Sequence, residues 1–299
     1  MKKYLYNLVL ASLILMSTTV VKAANEVYYV NRYNIEMTER EYNNLLTLGF
    51  TDKYIDGMKE EEFIANKDLE ATPISSSKKY FMTTTAMRNG IKVTTTREIA
   101  EEEAMREVEL QSQRVPYRGP AGNYYDGVLS NSVFTMTVNI TAIGSIYMRF
   151  MNNYEWLTMP TDRNYDVIGI GIEDNKVQMA NSIVFNEQWY TTDGVHHTTE
   201  ICTPKDTSTG GLAIFKLPND SIQTLYMAGY FNVRKKANVG TITSLYATGD
   251  YAHAISSVTP SNLLSHVSIN SSVGIMIDST YGSSFLSNPA VSASFQGTW

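Results

Sequence analysis

The chain has 299 residues, of which 43 % are hydrophobic and 18 % charged, and 24 basic side chains face 30 acidic ones for a formal net charge of −6. This length allows one large domain or two modest ones, and the apolar content is sufficient for a buried core. The low charged fraction and the 20 tyrosines are typical of β-structure, and the acidic balance excludes a basic surface for nucleic acid.

The N-terminal segment, residues 1–23, has the organisation of a secretory signal peptide. Lys2 and Lys3 precede an apolar run that is followed by a small-residue cleavage site ending at Ala23. The apolar run is too short to cross a bilayer comfortably. We therefore expect cleavage after Ala23, a mature chain with no membrane span, and a secreted, extracellular protein.

Residues 24–75 are predicted to form a small helical module. Thr38 and Glu41 have the spacing of a capping box, and Gly49 is a helix stop, which predicts a helix over 39–48. Thr51 can cap a second helix. A third helix, over 59–66, would pack through Phe63 and Ile64.

Residues 76–114 are predicted to form a β-hairpin followed by an acidic helix. Asn89-Gly90 between two Thr-rich runs is a strong signal for a type I′ turn. The Glu-rich segment 97–114 carries a thin apolar stripe, which we expect to pack against the hairpin rather than to form a spacer. Residues 115–127 are rich in Pro and Gly and are the expected linker and domain boundary.

Residues 128–299 are predicted to form an antiparallel β-sandwich or jelly-roll-like domain, so the protein is expected to be mainly β. Short strand-like runs alternate with turn residues and have no helices between them. The predicted strands are 132–140, 144–152, 165–172, 177–185, 188–192, 195–202, 211–217, 222–234, 240–246, 266–269, 273–277 and 291–297. Trp299 is expected to hold the last strand in the core.

The strand 165–172 alternates Ile168, Ile170 and Ile172 on one face with Gly169 and Gly171 on the other. Two glycines on one face of a strand indicate a bend, a bulge, or close approach by another backbone or a ligand. Sheet curvature is the simplest interpretation.

These motifs together resemble a group of uncharacterised secreted proteins of Firmicutes-type bacteria. The resemblance covers most of the mature chain and implies secretion and this architecture, but no activity. It rests on Glu41-Tyr42, Leu48-Gly49-Phe50-Thr51, Glu62-Phe63, Asn66-Lys67-Asp68-Leu69-Glu70, the Thr-rich hairpin, Trp156-Leu157, Met159-Pro160, Arg163 and Tyr165-Asp166-Val167-Ile168-Gly169-Ile170-Gly171.

The densest polar cluster lies between residues 187 and 200. If Asp193-Gly194 forms a two-residue turn, Glu187, Trp189, His196 and Glu200 share one face, with the two carboxylates directly opposite. Two carboxylates about 5 Å apart beside an aromatic ring are the arrangement of a retaining glycosidase.

A solvated polar hairpin is the simplest interpretation of this cluster, ahead of a ligand or metal site and of catalysis. Trp189 and His196 are the candidate ligand-binding residues, and Glu187 and Glu200 the candidate catalytic residues. A shift of the register by one residue would separate them.

No cofactor and no metal site is predicted. The sequence has no phosphate-binding glycine loop, no Cys pair and no nucleophile elbow. Cys202 is the only cysteine, which excludes an intramolecular disulfide and favours a small buried side chain. His253 and His266 are expected at the surface or in hydrogen bonds.

Three functions follow from these patterns. The leading hypothesis is a secreted non-enzymatic binding or adhesion module that recognises a glycan or a surface protein. The second is an extracellular glycan-active hydrolase that uses Glu187 and Glu200. The third is a subunit of an extracellular assembly, with which a homo-oligomer is compatible.

Overall fold

The computed structural model describes residues 26–113, 127–173, 176–181, 183–199, 203–207, 209–256, 260–270, 274–287 and 290–299. The predicted signal peptide, most of the predicted linker, Glu200 and Cys202 lie outside the described residues. The chain divides into two compact units between Glu70 and Ala71.

The first unit contains a two-stranded ribbon and three short helices. Its elements are β1 (Tyr29–Val30), β2 (Glu36–Met37), α1 (Glu39–Thr47), α2 (Asp52–Asp56) and α3 (Glu60–Asn66).

The predicted helix caps are present. Thr38 and Glu41 form the complete capping box of α1, and the Thr51 side chain accepts a hydrogen bond from the Tyr54 amide at the start of α2. Phe63 is buried as expected, but Ile64 is 60 % exposed, because consecutive residues of a helix point in different directions and α3 turns the Phe63 side inward.

The second unit is built around two antiparallel sheets. The large sheet has eight strands in the order β10-β9-β13-β6-β5-β3-β4, with β8 pairing to β13. Its strands are β3 (Ala71–Arg88), β4 (Ile91–Ile99), β5 (Gly127–Ile143), β6 (Tyr147–Trp156), β8 (Val177–Met179), β9 (Val184–Thr191), β10 (His196–Thr199) and β13 (Ile222–Lys235).

The small sheet has six strands in the order β11-β12-β7-β14-β17, with β18 pairing to β14. Its strands are β7 (Tyr165–Ile172), β11 (Thr203–Thr207), β12 (Gly210–Lys216), β14 (Ser244–Ala254), β17 (Phe285–Ser287) and β18 (Val291–Gln296).

The main core lies where the inner faces of the two sheets meet. Phe134, Trp156 and Phe231 of the large sheet pack with Ile168 and Tyr251 of the small sheet in one cluster of buried residues. The mainly β, antiparallel sandwich predicted from the sequence is therefore confirmed. Trp299 packs at the border of this core and exchanges two backbone hydrogen bonds with Ile242.

Additional elements cover the outer face of each sheet. The helix α4 (Glu101–Gln113) places Ala104 against Tyr80 and Val133 of the large sheet, so the predicted packing of this helix on the hairpin is confirmed. On the small sheet, a separate apolar cluster involves α5 (Pro260–His266), β15 (Val267–Asn270) and β16 (Gly274–Ile277).

The structure differs from the sequence-based boundaries in several places. The predicted helix over 97–114 begins at Glu101, because the preceding residues complete the β4 ladder with β3. The division at 70/71 differs from the expected linker at 115–127, because β3 pairs along its length with β5 and joins the hairpin to the later strands.

The later strand boundaries also differ. The predicted strand 177–185 is divided between β8 and β9. Of the predicted strand 195–202, residues 196–199 form β10, and residues 200–202 lie outside the described residues. Of the predicted strand 240–246, only residues 244–246 belong to β14, which continues to Ala254.

The glycine face of β7 is covered by other elements of the fold. A Cβ atom at Gly169 would lie 2.8 Å from Ile269 Cδ1 and 3.1 Å from Ile275 Cγ1, which belong to β15 and β16. Close packing of these side chains therefore leaves room for a Cβ atom at this position only if the ends of the isoleucine side chains shift. At Gly169 the approaching groups are two isoleucine side chains, rather than the backbone or the ligand that were among the expected alternatives.

Asp250 joins β14 to the β15–β16 pair. Its carboxylate is buried and accepts hydrogen bonds from the Ile275 and Tyr251 amides, each at 2.7 Å. Burial raises the pKa of Asp250 from 3.8 to about 7, although these two hydrogen bonds act in the opposite direction.

Asp250 should make the stability of the protein pH-dependent. Because the folded state binds the proton more tightly, the stabilisation is complete below the unfolded-state pKa and is lost as the pH rises through the folded-state pKa. We expect the free energy of unfolding, relative to that of Asp250→Asn, to fall by about 2 kcal/mol between pH 5 and pH 7. Urea titrations of both proteins measure this difference, and a constant difference across this range would contradict it.

Candidate binding surface

The β9–β10 hairpin carries the residues that the sequence singled out, but its register is different. His196 lies opposite Tyr190, His197 opposite Trp189, and Thr199 opposite Glu187. The predicted pairing of Glu187 with Glu200 is therefore wrong.

The conformation of the turn explains this shift. The Thr191 amide donates to the Val195 carbonyl at 2.9 Å, so the loop contains three residues rather than two. Gly194 has a φ of +84°, whereas Asp193 does not have a positive φ. A type I′ turn requires positive φ at both central residues, and the three-residue loop requires it only at the glycine.

The new register changes which side chains share a face. Trp189 and His197 lie on the face toward the small sheet, and His196 lies on the opposite face with Tyr190, at a ring-centroid distance of 5.0 Å. The expected grouping of Trp189 with His196 is therefore wrong, and His197 takes the place of His196.

Glu187 is fully buried. On β13 it lies opposite Met227, which belongs to the main core. The geometric basis for a two-carboxylate hydrolase, an accessible pair of opposed glutamates, is absent from this hairpin as far as the structure describes it.

Trp189, His197 and Asp220 form a partly exposed group, which we call the Trp189 surface. The indole and imidazole rings are stacked at a centroid distance of 5.2 Å and an angle of 15°. The Trp189 Nε1–H donates to Asp220 Oδ2 at 3.3 Å. Asp220 is exposed, whereas Trp189 and His197 are half-buried.

Two neighbouring contacts hold this surface in place. The Thr192 amide donates to the Ser221 carbonyl at 2.8 Å, which joins the hairpin loop to the turn that precedes β13. Arg163 donates to the Asp220 carbonyl and, at 3.4 Å, to the Pro218 carbonyl. Burial lowers the pKa of Arg163, and the nearby Asp220 acts in the opposite direction.

A second polar group, which the sequence analysis missed, lies inside the sandwich. The Asp166 carboxylate accepts hydrogen bonds from Trp156 Nε1 at 3.3 Å and from the Tyr251 hydroxyl, and lies 2.7 Å from His253 Nδ1. Burial, and then the negative charge of Asp166, raise the pKa of Tyr251 well above its usual value, so this hydroxyl keeps its proton. Tyr154 stacks on Tyr251 at 3.8 Å.

These four hydrogen-bonded side chains, Trp156, Asp166, Tyr251 and His253, are all at most 2 % exposed and join the two sheets. His253 was expected either at the surface or in a hydrogen bond, and the structure shows it buried and hydrogen-bonded. A signal in the sequence was available, because alternation along β7 places Asp166 on the same face as Ile168 and Ile170.

The outer face of the large sheet carries a further polar and aromatic set. Arg149 lies 4.6 Å from the ring centroid of Tyr230 and donates to Asn232 at 3.0 Å, and the Tyr226 hydroxyl donates to Glu155 at 2.7 Å. Arg149, Tyr226 and Tyr230 are at most 5 % exposed. This set is therefore less accessible than the Trp189 surface.

The described residues form neither a cluster of metal ligands nor a helix that could span a membrane. In that part of the chain, His, Cys, Asp and Glu side chains do not gather in groups of three or more that could hold a metal ion. Nor does any helix there have the length and apolar character needed to cross a membrane.

No protein-family model and no curated protein matches the sequence. Among solved structures, a collagen-binding domain from a Staphylococcus aureus adhesin is 7 % identical, with 51 % of this chain and 89 % of that chain covered and a TM-score of 0.27. A pore-forming protein is 12 % identical, with 44 % and 81 % covered and a TM-score of 0.24. The full-length major pilin SpaD from Corynebacterium diphtheriae is 11 % identical, with 68 % and 59 % covered and a TM-score of 0.24. These names describe those proteins, and the fold of this chain is defined by its own two sheets.

Proposed function

We propose that the protein is a secreted, non-enzymatic binding module that recognises a glycan through the Trp189 surface. The N-terminal signal sequence supports secretion. The observation that carries the binding role is the partly exposed Trp189–His197 stack beside the Asp220 carboxylate.

The chemistry of these groups suits a sugar. A pair of stacked rings that is held by two strands and remains partly exposed offers an apolar contact at low entropic cost, and a neighbouring carboxylate accepts hydrogen bonds from hydroxyl groups. In binding surfaces, a few residues carry most of the binding energy, and tryptophan is often one of them. We therefore expect Trp189 to contribute much of the affinity.

The support for glycan hydrolysis is weaker. Glu187 faces the core, with Thr199 opposite it, so the described hairpin offers no accessible carboxylate pair. We therefore propose recognition without catalysis.

A matched pair of tryptophan substitutions tests this proposal. We expect Trp189→Ala to weaken binding to insoluble polysaccharides by about 30-fold, the effect of losing a central aromatic anchor. Co-sedimentation with chitin, cellulose and peptidoglycan measures retention, and any polysaccharide that retains the parent protein serves for the comparison.

Trp299→Ala is the control. Trp299 also lies at the border of the main core, next to Lys235 at the C-terminal end of β13. Trp189 pairs with Leu225 near the other end of that strand, and Leu225 and Lys235 are roughly 33 Å apart along it. It should leave retention within about twofold of the parent, because it removes a similar ring without touching the surface. Equal losses in both variants, or none in Trp189→Ala, would contradict the assignment.

A further inference from the structure

The strand β4 forms one edge of the large sheet. It pairs with β3 over nine residues and, among the described residues, with no other strand. The strand β17 of the small sheet comes near β4 but forms no ladder with it. Within the described part of the chain, one side of β4 therefore keeps backbone N–H and C=O groups with which a further strand could pair.

Edge strands usually carry charges that prevent such pairing, because like charges meet when two identical edges approach. The charges of β4 are arranged differently. If two copies of β4 pair antiparallel with Thr95 opposite Thr95, Lys92 of one copy lies opposite Glu98 of the other, and Ile91 lies opposite Ile99.

The charged side chains are accessible for this pairing. The side chains of Lys92 and Glu98 are 46 % and 49 % exposed. Lys92 already bonds Asp162 at 2.6 Å and Glu98 bonds Lys79 at 2.8 Å. In the paired arrangement, Lys79 and Glu98 of one copy would continue into Lys92 and Asp162 of the other, as a row of side chains with alternating positive and negative charge. The ion pairs within each copy therefore need not break.

The apolar and hydroxyl side chains are also complementary. Ile91 is 66 % exposed, and in the pairing it would cover part of the cluster that holds Ile99 of the second copy, a side chain that is itself buried. Thr94 would lie opposite Thr96, a pair that is favourable across antiparallel strands. Three kinds of pair, Lys92 with Glu98, Ile91 with Ile99 and Thr94 with Thr96, are thus complementary about the two-fold axis that an isologous contact requires. The fourth places Val93 opposite Arg97, which keeps its own ion pair with Glu103.

We propose that two copies of this chain associate through β4, antiparallel about a two-fold axis at Thr95, so that their large sheets form one continuous sheet. This interface is separate from the Trp189 surface, because β4 and β10 are at opposite edges of the large sheet. A dimer of this kind would present two binding surfaces, which increases the avidity for a repeating ligand.

Disulfide cross-linking locates the axis. Thr95→Cys, in a Cys202→Ser background that removes the single native thiol, places two cysteines directly opposite each other at a Cα separation of about 5 Å, which a disulfide can span. Ile91→Cys is the control, because its two copies would lie roughly 26 Å apart on the paired strands. We expect mild oxidation to give a covalent dimer with Thr95→Cys and not with Ile91→Cys. Equal cross-linking of both variants, or none of Thr95→Cys, would overturn the proposal.

A charge exchange tests the register independently. Lys92→Glu places like charges opposite each other twice in the dimer, and we expect the dissociation constant from sedimentation equilibrium to rise about tenfold. Adding Glu98→Lys should restore dimerisation, because opposite charges again face each other across the interface. This second substitution also removes the ion pair of Glu98 with Lys79, so the recovery cannot come from a more stable monomer. A parent protein that stays monomeric at every concentration, or a dimer that is insensitive to Lys92→Glu, would refute the model.

Discussion

Replacing Asp166 with alanine should lower the free energy of unfolding by on the order of 4 kcal/mol. The carboxylate accepts from Trp156 and Tyr251 and contacts His253, so its removal leaves buried polar groups of both sheets without their acceptor. A cavity between the sheets adds to this loss. Chemical denaturation of the parent protein and of Asp166→Ala measures the effect.

Asp206→Ala is the matched control for this substitution. Asp206 lies on β11, an edge strand of the same small sheet, and is exposed. Its replacement should change the free energy of unfolding by no more than about 0.5 kcal/mol. If Asp166→Ala cost no more than this control, the polar cluster would not be joining the two sheets.

Gly210→Ala should destabilise the protein by about 3 kcal/mol or more. Gly210 has a φ of +154°, and a Cβ atom there would lie 2.2 Å from the Ile170 carbonyl oxygen and 2.8 Å from Gly171 Cα. Both atoms belong to the backbone of β7, so the clash cannot be relieved without separating β12 from β7. Thermal or urea unfolding of the variant measures the cost.

Gly240→Ala is the control for this prediction. A Cβ atom at Gly240 would meet no heavy atom within 4 Å. Its replacement should be neutral or slightly stabilising, because alanine restricts the unfolded chain. Similar stabilities of the two alanine variants would show that β12 does not approach β7 as closely as described.

Local signals predicted those parts of the fold that local interactions determine. The Thr38 capping box and the Asn89-Gly90 turn both have the expected geometry, with φ values of +51° and +76° in the turn. The strand β7 has its predicted bounds, because its alternation is uninterrupted. In each case, neighbours in the sequence supply the determining contacts.

Features that depend on distant residues could not be predicted in this way. The second half of β14 contains Asp250 and His253, and the predicted strand ends before them at residue 246. Their hydrogen-bond partners, Ile275 and Asp166, are distant in the sequence. The first half of β3, from Ala71 onwards, is polar and is a strand because it pairs with β5.

The candidate site shows the same limit. The sequence located the hairpin and its Trp189, but Asp-Gly fits both a two-residue turn and a three-residue loop that ends in glycine. The three-residue loop shifts the register of the hairpin by one residue. As a result His197, and not His196, lies on the same side of the sheet as Trp189. Asp220 joins this surface from a turn far along the chain.

Binding of the parent protein and of Trp189→Ala to a broad glycan array, side by side, tests the central claim most directly. The proposed function predicts that the parent protein is retained on a defined subset of glycans and that this retention is lost in Trp189→Ala. Equal retention of both proteins, or no retention of the parent protein on any glycan, would contradict glycan recognition through the Trp189 surface.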